Sequence, residues 1–131
     1  MSDTKEIRWI ATNPYNHKVI LKQETFDKHI NNDHTGSDAA VRKSLEAQTK
    51  VVVESPRYII EDANFTDRYQ YVDILPMNTS GQENLRMFKV IVDTSCYPHE
   101  VVTWMPVRNK IPVGGGIVYD STRGIIKKQQ V

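Results

Sequence analysis

From residue 57 onward the hydrophobic period of the chain changes to two, and that change limits its folds more than any other feature. The runs "RYIIED", "RYQYVDIL", "NLRMFKVIVDT" and "EVVTWMPV" alternate or are rich in β-branched and aromatic residues, the pattern of strands. The joins between them, "NFTD", "PMNTSGQE" and "SCYPH", are short and polar. Short joins favour antiparallel neighbours, so the four runs predict a meander. Upstream, "KEIRWIAT" and "HKVILK" flank "NPYN", which predicts a hairpin or two short extended pieces near residues 5–22.

Between these two regions the period is helical. In "QETFDKHINND", Phe26 and Ile30 stand at i and i+4, and Thr25 is placed to cap the start. "SDAAVRKSLEAQTKVVVESP" predicts a second helix, capped by Ser37 or Asp38, apolar at Val41, Leu45 and Val52, and stopped by Pro56. The expected fold is α+β, with N-terminal helices packed on a four-stranded antiparallel sheet. The chain reads as one domain over residues 1–131, with a core over about 20–107 and a glycine-rich loop and tail over 108–131. That loop, "PVGGGIV", lacks the spacing of a phosphate-binding or dinucleotide fingerprint. The segment Gly114–Gly116 therefore reads as a turn or mobile flap, and "PVGGGIVYDSTRG" as a glycine-rich loop with room for a last short strand.

Several function classes are excluded at this stage. No apolar run approaches the ~18 residues of a membrane span. The start, "MSDTKEIRW", lacks the basic-then-apolar order of a signal peptide. The single Cys96 rules out an internal disulfide framework and a cysteine-based zinc site. A cytoplasmic setting without membrane contact is expected. The net charge of +1 hides an asymmetry. Residues 1–84 hold ten Lys and Arg against thirteen Asp and Glu, whereas residues 85–131 hold seven against three. A basic C-terminal part suits an anionic ligand, and it equally suits a solvated surface.

The stretch "FDKHINNDH" carries two of the four histidines, His29 and His34. On a continuous helix residues five apart diverge by about 140°, which is not the i, i+4 geometry of a helical zinc pair. No metal is expected there. Histidine is nonetheless the side chain suited to moving protons near neutral pH, and His29 borders the Phe26/Ile30 stripe. In "DRYQYVDIL", Arg68 stands at the start of a strand, and Tyr69, Tyr71 and Asp73 share one face. Such tyrosines can stack bases, or they can be ordinary half-buried sheet residues. Lys89, inside the apolar run "NLRMFKVIVD", either snorkels or faces a cleft. Thr103 lies in mid-strand.

Taken in order, "HI…H", "ESPRYIIED", "RYQY", "LRMFKVIVD" and "EVVTW" resemble the phage-associated barnase–EndoU–colicin–RelE-like (BECR-fold) nuclease domains. The resemblance spans roughly residues 20–107. It implies N-terminal helices against a four-stranded antiparallel sheet and a metal-independent endoribonuclease that needs no cofactor. The family's helix histidines fall on His29 and His34, its basic position on Arg68 followed by Tyr69 or Tyr71, and its late-strand hydroxyl on Thr103. Where the family has His-Pro at the second histidine, this chain has His34-Thr35. The catalytic set implied is His29, His34, Arg68 and Thr103, with Tyr69, Tyr71 and Lys89 against the substrate. RNA, transfer RNA included, is the implied substrate, and an immunity or antitoxin protein the implied partner. A phage-encoded protein acting in the bacterial cytoplasm fits this picture. The alternative is a catalytically inactive module of the same fold that binds nucleic acid or protein.

Overall fold

The computed structural model describes residues 6–28, 43–79, 82–107 and 114–127. Eight strands form one sheet: β1 Ile7–Thr12, β2 Lys18–Lys22, β3 Tyr58–Asp62, β4 Arg68–Thr79, β5 Gln82–Asp93, β6 His99–Val107, β7 Gly114–Asp120 and β8 Gly124–Ile125. Their order across the sheet is β1-β2-β6-β5-β4-β3-β7-β8. All pairs are antiparallel except β2 and β6, which run parallel through Val19 opposite His99 and Ile20 opposite Glu100. The described helical segments are α1 Gln23–Thr25, which runs on into a wider π turn at 26–28, residues 43–44, and α2 Glu46–Glu54.

The expectation of N-terminal helices packed on a four-stranded antiparallel sheet, the BECR/RelE-like layout, is overturned. The four strand candidates do form adjacent strands β3 to β6, but only as the middle of an eight-stranded mixed sheet. Two extensions enlarge it. The N-terminal hairpin joins β6 by a parallel contact that sequence neighbours cannot announce. At the other edge, β7 pairs with β3 through Tyr58–Asp120, Ile59–Tyr119, Ile60–Ile117 and Asp62–Gly114. The sequence left room for a short last strand after the glycine run; the observed β7 takes in the run itself and extends from Gly114 to Asp120.

The sheet is strongly curled. In a flat sheet β2 and β7 would stand five strand spacings, about 24 Å, apart. Yet Tyr15, in the β1–β2 turn, reaches β7: its hydroxyl lies 2.9 Å from the Val118 carbonyl and 2.6 Å from that of Lys127. Asn13, in the same turn, donates to the Tyr71 hydroxyl at 2.9 Å. The inner face of this curl holds the main core. Leu21, Phe26, Ile59, Tyr71, Phe88, Val90, Trp104 and Val118 pack there with Val52 and Val53 of α2. Burying such side chains supplies roughly 1.5–3 kcal/mol each. Arg8 fastens the helical segments to β1. It bonds both Glu46 oxygens at 2.6 and 2.7 Å, donates to Gln23 at 2.9 Å, and lies 3.8 Å over the Phe26 ring.

The outer face has a smaller core of Ile60, Val72 and Met87, with Tyr58, Val107 and Ile117 against it. No helix among the described residues is long and apolar enough to cross a membrane.

Candidate functional site

Strand alternation divides the sequence-derived residues between the two faces. Directly opposed residues in a sheet share a face. Gln70 opposes Ile91, and Ile91 opposes Thr103. Lys89 opposes Val72 and Met105, and Arg68 opposes Asp93. Arg68, Gln70, Lys89 and Thr103 therefore all emerge on the outer face. Tyr69 and Tyr71 point inward. Tyr71 is fully buried and tied to Asn13, so it is a core residue and offers nothing to a substrate. Tyr69 is half-buried against the same core; burial first, and Glu61 second, hold its hydroxyl above the usual tyrosine range. His29 and His34 lie outside the described residues. The helical segment that precedes them packs inward, with the Phe26 ring centroid 6.5 Å from that of Trp104.

On the outer face Arg68 and Lys89 bracket the Gln70–Ile91–Thr103 row. From strand geometry the Cα of Lys89 stands about 8 Å from that of Thr103, and that of Arg68 about 12 Å from it. Neither Arg68 nor Lys89 has an ion-pair partner among the described residues, and both are half-buried. Carboxylates stand near both: the Lys89 charge acts on Asp62, and Arg68 shares its depression with Asp67 and Asp93.

The centre of the row is Gln70, only 6% exposed. Its amide nitrogen donates to Asp62 at 3.3 Å, and its carbonyl oxygen is buried with no partner among the described residues. A buried polar atom left in this state costs about 1–3 kcal/mol, and Trp9 Nε1, His17 Nδ1 and His99 Nε2 share it. Burial pushes the Asp62 carboxyl up. The Asn64 N–H, the Gln70 amide, the Phe65 N–H and the Lys89 charge more than offset this, and the carboxyl rests below its usual range.

At one end of this face the β3–β4 turn forms a depression of about 350 Å³, lined by Asn64, Phe65, Thr66, Asp67, Arg68, Asp93 and Ser95. Phe65 is 52% exposed, and the Arg68 guanidinium lies 4.3 Å from its ring centroid. Sequence reasoning missed Phe65, because "NFTD" reads as a polar join. It also missed Gln70, which looks like any polar strand residue. A large apolar residue inside an otherwise polar turn was the available signal.

The two described histidines belong elsewhere. His17 and His99 lie edge to face with ring centroids 5.4 Å apart, and the Tyr97 ring stands 5.3 Å from that of His99. His99 is fully buried, and its Nδ1 donates to the Cys96 carbonyl at 3.1 Å. Burial, opposed by that hydrogen bond and reinforced by His17, holds the His99 imidazole below the usual histidine range. A neutral, inaccessible ring of this kind fixes the junction of β2 and β6 and cannot meet a substrate. Desolvation, and then Glu100, push the Cys96 thiol up, so it is no activated nucleophile. Among the described residues no group of three or more His, Cys, Asp or Glu could hold a metal ion.

No protein-family model, curated protein or solved structure matches this chain.

Proposed function

We propose that the outer face binds the sugar-phosphate backbone of single-stranded RNA, and that the protein cleaves RNA without a metal by attack of the 2′-hydroxyl on the adjacent phosphorus. The observation that carries this reading is the pair of half-buried cations, Arg68 and Lys89, neither in an ion pair among the described residues, on the same face as Thr103. Such cations neutralise the charge that builds on the phosphorane oxygens, and a hydroxyl donates to one of them. The reaction further needs a base for the 2′-OH proton and an acid for the 5′ leaving oxygen. His29, with His34 as its complement, is the imidazole assigned to that work on sequence grounds. Inside a bacterial cell such an enzyme would call for an immunity or antitoxin protein.

The test is cleavage of end-labelled RNA in EDTA by wild type and His29→Ala, with analysis of the new ends. Products ending in 2′,3′-cyclic phosphate and 5′-hydroxyl, lost by about 10²–10⁴-fold in His29→Ala, are expected. Unchanged cleavage by the variant removes His29 from the mechanism, and other product ends remove the mechanism. One observation favours the binding-only alternative. The described part of the segment leading to His29 packs through Phe26 onto Trp104, on the face opposite Thr103. Tight RNA binding without any cleavage by wild type is the outcome of that second reading.

A further inference from the structure

The β3–β4 turn is built more firmly than a loose connection requires. The Asp62 carboxylate accepts the backbone N–H groups of Asn64 and Phe65 at 2.8 and 3.2 Å. The Asp67 carbonyl accepts both the N–H and the hydroxyl of Thr94, at 2.7 and 2.9 Å. The Arg68 N–H closes the turn on the Phe65 carbonyl. This scaffold presents an exposed phenyl ring to water, beside a guanidinium that lies against it. One face of the ring is engaged by the Arg68 guanidinium, and 52% of the residue stays exposed for a further contact.

The depression next to it has a volume of about 350 Å³, within the range of small-ligand sites. Two carboxylates line it, Asp67 and Asp93. Asp93 accepts one N–H, from Ser95 at 2.8 Å. The Asp67 carboxylate has no partner among the described residues. This lining repels a phosphate. It accepts hydrogen bonds from a ligand edge that carries N–H donors, while the ring offers a stacking surface and Arg68 stands at the rim for a neighbouring phosphate.

From this arrangement we infer that the turn is a nucleobase subsite. Phe65 stacks the base, and Asp67 and Asp93 select bases with an exocyclic amino group (cytosine, adenine, guanine) over uracil. The chemistry is ordinary: carboxylates accept from base amino groups, and aromatic side chains stack any base. The inference rests on the RNA reading above and adds to it where the base sits and what it must donate.

The experiment measures binding of the full chain to end-labelled single-base decamers of C, A and U by fluorescence anisotropy. The decamers are 2′-O-methylated so that no cleavage intervenes. Wild type is expected to bind the C and A decamers more tightly than U. Phe65→Ala should weaken C and A binding by about 5- to 150-fold, and Phe65→Tyr should retain it. Asp67→Asn should narrow the preference against U. Asp67 is exposed and its carboxylate bonds none of the described residues, so this variant keeps its fold. Equal binding of C and U by wild type, or Phe65→Ala indistinguishable from wild type, overturns the subsite and leaves RNA binding standing. Failure of wild type to bind any decamer overturns both.

Discussion

Replacing Gln70 by Met should make the protein more stable and poorer at holding RNA. Gln70 sits directly between Ile60 and Ile91 on the outer face, and those neighbours are 2% and 7% exposed. Its carbonyl oxygen is buried with no partner among the described residues. Removing such an atom returns about 1–3 kcal/mol. The change also deletes the 3.3 Å donation to Asp62, a long bond to a carboxylate that keeps two backbone donors, at a cost of about 1 kcal/mol. Met matches Gln in length and fits the flanking isoleucines, so the net gain is about 1 kcal/mol. With an unfolding entropy of about 2.1 cal/mol/K per residue over 131 residues, that gain raises Tm by about 4 °C. Thermal unfolding followed by circular dichroism reads the stability, and anisotropy with a labelled RNA reads the binding on the same samples. A fall in Tm of more than about 2 °C would show the amide to be structurally satisfied and refute the reasoning. A more stable variant that binds RNA as wild type does would remove Gln70 from the interface.

Two further outcomes follow from the charges. Arg68→Gln and Lys89→Gln should each lower the slope of log K against log salt for RNA by about 0.7, the value for one phosphate contact on a single strand; an unchanged slope in a binding series from 50 to 200 mM salt would place that cation away from the backbone. Below pH ~6.5 the unfolded chain takes up a proton that the buried His99 resists, so stability falls as pH drops through that range, by at most about 1.4 kcal/mol per pH unit. The lowered carboxyls of Asp62 and Asp120 contribute only below pH ~4, outside the range in which His99 acts, and urea unfolding giving the same stability at pH 5.5 and 7.5 would contradict this.

The central strands were legible because alternation records a two-faced sheet directly: "RYQYVDIL" and "LRMFKVIVD" became β4 and β5. What alternation cannot record is which distant strand comes next. The parallel contact of Val19 with His99 and the addition of β7 to β3 both depend on the curl of the whole sheet, and the Tyr15 and Asn13 bonds that close this curl join residues more than fifty positions apart. The helical period over 37–56 was read as one element; of the described residues in it, 43–44 and Glu46–Glu54 are helical with a turn at Leu45 between them, and 37–42 lie outside the described residues. Its β-branched run Val51–Val53 serves tertiary packing, with Val52 and Val53 fully buried under the sheet. At the site, residue type was readable and direction was not. The tyrosines beside Arg68 looked like a single binding row, but alternation sends Tyr69 and Tyr71 to the side opposite the guanidinium.

Direction on β6 is settled by a single irregularity. The β5–β6 register shifts between Ile91 and Val92: Val92 opposes Val101, but Ile91 opposes Thr103, which leaves Val102 as the extra residue. With uniform pairing Lys89 would oppose Trp104, and Thr103 would fall opposite Val90 in the inner core. The bulge reverses this. It turns the indole of Trp104 inward beside Val90 and Phe26, where it is fully buried, and it turns the Thr103 hydroxyl outward, into the row of Gln70 and Ile91. A bulge costs one unpaired residue in the ladder; burying a Trp of 150–250 Å² at about 25 cal/mol per Å² returns about 4–6 kcal/mol. The core therefore dictates the bulge, and Thr103 faces the two cations because Trp104 cannot.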